Sequence, residues 1–166
     1  MDAEQTRGLR VHVALLGCNH IAFSGMRVTA TLYAAIVASS TIAGLLMASF
    51  ALMSAFTAVA MGRWVDRGGP RRPMMVSSFV VAGGGLAVGL AGWFGDALLV
   101  MFIACPLIGI FNSAFQIATQ QTVARYGEPG ERASNFAKQS LGLSIATFGG
   151  PMLAGVCIDH AGGHAN

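Results

Sequence analysis

Polar side chains are scarce in this chain, and those that interrupt its apolar runs recur at helical spacing. His20, Ser24, Arg27 and Thr31 stand at i, i+4, i+7 and i+11, which places them on one face of a helix. Asn112, Gln116 and Gln120 repeat at i, i+4 and i+8, and Ser140, Ser144 and Thr147 form a third set. Groups of these types bind and orient. They do not assemble a catalytic constellation, because the acids lie outside the apolar runs and no nucleophile has a base at an identifiable spacing. Arg27 in an apolar run would face a wet cavity and draw an anionic group such as a carboxylate; alternatively it snorkels to an outer edge or pairs with another helix. His20 is the best protonatable candidate, and its alternative is a hydrogen-bonded packing histidine.

The elements that must carry these groups follow from composition. Of 166 residues, 54% are apolar and 10% charged, and the mean hydropathy is +0.63. A soluble domain carries about 25% charged residues, so this chain lacks the surface to face water all round. Its hydrophobicity also excludes a disordered segment. Uncharged runs of 35, 23, 28 and 20 residues separate Arg27 from Arg63, Arg72 from Asp96, Asp96 from Arg125, and Lys138 from Asp159. About 20 apolar residues cross a bilayer as a helix. A further run begins near Arg10, which gives five spans at about 11–35, 40–62, 74–95, 97–120 and 139–158. Residues 1–10 form a polar leader and 159–166 a tail. Continuous rather than alternating apolar runs favour helices over a barrel.

Lys and Arg alternate between connecting segments in the order two, none, four, none, three, none, with Arg27 alone inside a span. The positive-inside rule then puts the N-terminus in the cytoplasm. Trp64, Trp93, Tyr33 and Tyr126 fall near span ends, as an aromatic belt would. Gly83, Gly84, Gly85, Gly89 and Gly92 give the third span a small face for close helix contact. Cys18, Cys105 and Cys157 lie in different spans and read as small packing residues. A cleavable leader ending at Cys18 competes with the first span, but the apolar pattern continues beyond that cysteine. Asp159, His160 and His164 could suggest a metal site, yet the intervening glycines oppose helical ligand geometry.

The richest stretch is Gly62-Arg63-Trp64-Val65-Asp66-Arg67-Gly68-Gly69-Pro70-Arg71-Arg72, a tight turn between the second and third spans. Asp66 is a lone carboxylate among four guanidiniums, able to pair with arginine or meet a helix N-terminus. A purely topogenic basic loop is the simpler alternative. The stretch resembles the signature G-x-x-x-D-R-x-G-x-R-R of the major facilitator superfamily of secondary transporters, at Gly62, Asp66, Arg67, Gly69, Arg71 and Arg72. The resemblance implies a cytoplasmic gating loop. In it the glycine lets helices approach, and Asp66, with Arg125 as partner, latches one of two rigid-body states. Ala146–Gly155 is similar to that family's fifth-helix motif at Gly150, Pro151 and Gly155, with alanines at two glycine positions. A Gly-Pro pair makes a helix bend, and whether it serves packing or antiport stays open. Cys105 and Ile108 stand where the family's fourth-helix arginine and glutamine would align, which argues against proton antiport.

The expected fold is therefore an all-α membrane protein, with five transmembrane helices of a six-helix N-terminal half. By resemblance, the first and fourth helices line a central cavity, making His20, Ser24, Arg27, Asn112 and Gln116 the solute-facing candidates. The expected function is transport of a small, anionic solute across a bacterial inner membrane by alternating access. A phosphate-binding loop is lacking, so nucleotide hydrolysis would not drive it, and no cofactor or nucleic acid is expected. The expected partners are the lipid bilayer, the solute, and a missing C-terminal half or a second copy. The alternative function is a non-transporting, truncated membrane module that needs a partner.

Overall fold

The computed structural model describes residues 3–94 and 97–162, and every element among them is helical. These are α1 (Ala3–Val37), α2 (Ser40–Gly68), α3 (Arg71–Phe94), α4 (Ala97–Ala124) and α5 (Arg132–Gly162), with one 3-10 turn at Pro129–Glu131. Short connections return each helix antiparallel to the one before. Ser39 stops α1 and starts α2, its hydroxyl accepting the Ile42 N–H at 3.2 Å. Gly69, at φ 71°, ends α2 in a conformation that side chains avoid, and Pro70 leads directly into α3.

The expected five helices are present. Four of them are long and apolar enough to cross a membrane: Ser40–Gly68, Arg71–Leu90, Ala97–Ala124 and Arg132–His160. The longest helix, α1 with 35 residues, does not meet that standard, because Asn19, His20, Ser24 and Arg27 dilute its apolar residues. The helices also outrun the spans drawn from sequence. Residues 3–10, read as a leader, continue α1, and residues 159–162 of the tail belong to α5. His164 lies outside the described residues.

The start of α1, the α2–α3 turn and the α4–α5 connection share one end of the bundle. Contacts of His12 with Tyr126 and of Asp66 with Gln121 tie them together there. Arg7, Arg10, Arg63, Arg67, Arg71, Arg72, Arg125, Arg132 and Lys138 therefore gather at this end, called the charged end below. What read as a basic loop is only Gly69 and Pro70, since all four of its arginines ride on the ends of α2 and α3.

Central in the bundle is α4, lying along both α2 and α3, whereas α1 lies along α5 and also touches α2 and α4. The buried core draws on α1 to α4: Phe23, Ala30 and Ala34; Ala43, Leu46 and Phe50; Val81 and Val88; Met101, Ala104, Cys105 and Ile108. Phe23 meets Phe50 edge-on at 5.8 Å between ring centres. Outward, Phe56, Phe79, Leu86, Leu141, Ile145 and Phe148 are exposed, an apolar surface suited to lipid rather than water.

Small residues set the closest approaches. A Cβ on Gly109 would fall 2.5 Å from the Phe50 carbonyl oxygen, so α4 meets α2 backbone to backbone. The third-helix glycines are used only in part. A Cβ on Gly84 would collide with Ile108, and one on Gly85 would touch Met26, but at Gly83 and Gly89 it would meet nothing. Gly83 and Gly84 instead help line an apolar groove of about 440 Å³ between α3 and α4, with Ile103 and Leu107 opposite. The side chains of residues 91–94, and with them Gly92 and Trp93, lie outside what the structure describes. Cys105 is buried, as a packing residue should be, while Cys18 and Cys157 are exposed on the bundle surface.

Gly109→Ala should therefore destabilise the protein by about 1–3 kcal/mol, the usual cost of overpacking a tight contact. Gly44→Ala, where an added Cβ meets nothing, should leave stability unchanged or raise it by up to about 1 kcal/mol, the gain in helix propensity. Thermal unfolding of both variants in detergent measures the difference, and equal effects would remove Gly109 as the α2–α4 contact point.

Candidate functional site

The polar face of α1 is built around its crossing with α5. A Cβ on Gly25 would lie 3.0 Å from the Gly150 carbonyl oxygen, and one on Gly150 would lie 2.7 Å from the Ile21 carbonyl oxygen. Two glycines thus bring the backbones together, and short polar side chains bridge them on either side. The Ser24 hydroxyl reaches the carbonyls of Ile21 at 3.3 Å and, across the crossing, Ala146 at 3.4 Å. One turn away, His20 Nε2 lies 3.0 Å from Thr147 Oγ1. Of the fifth-helix motif, Gly150 makes this contact, while α5 continues helical through Pro151. Pro151 lacks the N–H that an unbroken helix would offer the Thr147 carbonyl. Gly155 is exposed, and a Cβ there would meet nothing.

On its other side, α1 is tied to α4 by one amide pair, Asn19 Nδ2 donating to Asn112 Oδ1 at 3.1 Å. Asn112 is buried, and Gln116, one turn along α4, is half-buried. Gln120 is exposed. Asn19 was not legible from helical spacing around His20, since it lies off that face; its own signal was an amide inside an apolar run. Arg27 is half-buried on α1, and its guanidinium meets no carboxylate among the described residues. The Thr31 hydroxyl is turned back on its own helix, donating to the Arg27 carbonyl at 2.7 Å.

At the charged end, Asp66 and Arg67 are exposed on the last turn of α2 and Arg71 and Arg72 on the first turn of α3. The Asp66 carboxylate accepts a hydrogen bond from Gln121 Nε2 of α4. The structure thus gives Asp66 an amide partner one turn short of Arg125, which is itself exposed. Gly62 was expected to admit a neighbouring helix, but a Cβ there would meet nothing within 4 Å. Trp64 turns its ring edge-on to Phe111 of α4, 6.3 Å between centres, so it serves the α2–α4 contact as well as any belt.

Tyr126 has a similar packing role. Its hydroxyl lies 3.2 Å from His12 Nδ1 and blocks any side chain at Gly8, where a Cβ would fall 2.7 Å away. The buried Asn135 amide donates to the Tyr126 carbonyl at 2.8 Å. Beside it, Glu128 and Glu131 form a capping box at the start of the 3-10 turn. The Glu128 backbone N–H, donating to Glu131 Oε2 at 3.0 Å, holds the Glu131 carboxyl below its ordinary range, with Lys138 adding a smaller attraction.

A family model described as the Major Facilitator Superfamily matches residues 14–165 of the chain. No curated protein and no solved structure matches it.

The α1–α4 amide pair should show a coupling of about 0.5–1.5 kcal/mol in a double-mutant cycle of Asn19→Ala and Asn112→Ala, read by unfolding in detergent. Strict additivity would mean the two amides do not interact. Because the folded Glu131 pKa is lowered, the charge assistance to the capping bond is full above the ordinary glutamate value of about 4.3 and is lost as pH falls through the lower folded value. Protection of the Glu128 amide against hydrogen exchange should follow that titration. In Glu131→Gln, which keeps an acceptor but cannot ionise, the protection should stay level with pH.

Proposed function

The chain belongs to the Major Facilitator Superfamily, and from that premise we propose that it is the N-terminal portion of a secondary transporter. It moves a small anionic solute by alternating access in a bacterial inner membrane, with its five helices spanning the bilayer and its N-terminus in the cytoplasm. The family is made up of transporters rather than enzymes. The charged end then faces the cytoplasm, in keeping with the attraction of basic flanks to that side.

The observation that carries the solute reading is Arg27, a half-buried guanidinium on α1 without a carboxylate partner among the described residues. A charge in a span costs about 2.5–3.5 kcal/mol on insertion scales, so it is retained where it faces a cavity or a binding partner. His20 and Thr147 at the α1–α5 crossing and Gln116 on α4 would supply further polar groups to a cavity that Arg27 faces. The Gly150–Pro151 step gives α5 a thin face against α1. Asp66, held by Gln121 beside the gating turn of Arg67, Gly69, Arg71 and Arg72, is placed to latch this bundle against the other half of the transporter. A latch on one of two rigid-body states biases their equilibrium by its differential contact energy, on the order of 1–3 kcal/mol.

Ser140 and Ser144 on α5 are exposed, although lipid would leave their hydroxyls poorly solvated. This favours a partner that covers them, either a C-terminal half or a second copy. The partner-requiring module that does not transport by itself rests on the same observation.

Uptake into proteoliposomes, measured for anionic and neutral solutes under a pH gradient, tests the function. Arg27→Ala should abolish preference for anions, and unchanged kinetics would remove Arg27 from the site. Asp66→Asn should slow turnover by about tenfold while insertion stays intact, the scale of a coupling of 1–3 kcal/mol. Normal turnover would confine the turn to topology. Well-inserted protein that moves none of the solutes, alone or with a partner half, would support the non-transporting module.

A further inference from the structure

Three histidines occupy described helical positions, and one of them behaves differently. In His12 and His160 the Nδ1–H donates to the carbonyl one turn back, Gly8 and Val156, at 2.8 Å in each case. His20 makes no such bond. Its Nδ1 is buried without a hydrogen-bond partner, and its Nε2 points across to Thr147 on α5. The Thr147 hydroxyl has a single proton, which it donates to the Leu143 carbonyl at 2.8 Å. Toward His20 it can then act only as acceptor, so Nε2 carries the hydrogen. In the neutral ring Nδ1 is left as a bare lone pair.

We propose that Thr147 is a positioning residue that fixes His20 as the Nε2–H tautomer, so that Nδ1 is the acceptor for an N–H or O–H of the transported solute. The groups packed around it admit this role. Phe23, 5.8 Å away between ring centres, offers no competing donor. Asn19, the preceding residue of α1, spends its amide on Asn112. Arg27, seven residues further along α1, is a donor only and would take the solute's anionic group. Nδ1 is buried, so a solute reaches it when the helices around it shift in the transport cycle. This deepens, and rests on, the transporter reading. It narrows the solute to one carrying both an anion and a hydrogen-bond donor, such as a hydroxy or amino acid.

The test uses the whole chain, labelled with nitrogen-15 histidine and reconstituted in lipid bilayers, with the His20 signals assigned by their loss in His20→Gln. Wild type and Thr147→Ser should show the Nε2–H tautomer at His20, and Thr147→Val should move the ring to the Nδ1–H form that His12 and His160 adopt. An Nδ1–H tautomer in the wild type, or no change in Thr147→Val, overturns the positioning role. Lactate and propionate then serve as probes matched in charge and size but for one hydroxyl. Lactate should shift the His20 Nδ1 resonance at a concentration at least tenfold below any effect of propionate. Equal effects, or none from either, overturn the acceptor role. Absence of uptake with the tautomer and lactate response intact would count against transport by this chain, not against the assignment of Nδ1.

Discussion

The contact of α1 with α5 at Gly25 and Gly150 is the constraint on which the polar site depends. Between helices in a bilayer there is no hydrophobic driving force, because lipid tails are as apolar as leucine; association comes from close packing and from polar contacts across the interface. Two glycines let the backbones touch, and only at that separation can side chains as short as Ser24 and Thr147 span the gap. Leucine at either position would part the helices and remove the partner of His20. The core explains why this contact matters so much to α5: the buried cluster draws on α1 to α4 alone, so α5 is held chiefly along α1.

A second close approach, Gly109 of α4 against the Phe50 carbonyl of α2, works at the opposite flank of the bundle. It places α4 between α2 and α3 and brings Trp64 to Phe111 and Asp66 to Gln121 at the charged end. The charged end and the polar interior are therefore mechanically joined through α1 and α4, which touch each other by the Asn19–Asn112 pair. Packed helix contacts of this kind are bistable rather than continuously deformable, so a change at one end of the bundle is carried to the other as a step.

Much of this was legible in the residues themselves. The uncharged runs gave the helices, because backbone groups in lipid must be satisfied within the segment. Gly69 and Pro70 gave the turn, one by its positive φ and the other by its lack of a helical N–H. His20, Ser24 and Arg27 were legible as a face because period 3.6 repeats are geometric. Gly62 and Gly155 show the limit of such reading. A glycine is recognised by type, but whether another backbone comes near it depends on a helix elsewhere in the chain. Gly25 and Gly109, which do make the close approaches, lie in no motif.

What the sequence by itself determined is local: helix number, the α2–α3 turn, the gathering of basic residues at alternate connections, and the polar face of α1. Those follow from periodicity and transfer energy, both properties of a single segment. Only the tertiary structure decided the pairs: Asp66 with Gln121 rather than Arg125, Asn19 with Asn112, and His20 with Thr147. A hydrogen bond is fixed by a distance of about 3 Å, and that distance depends on where two helices cross. The crossing point is set by which small residues meet, a property of two surfaces that no single stretch of sequence carries.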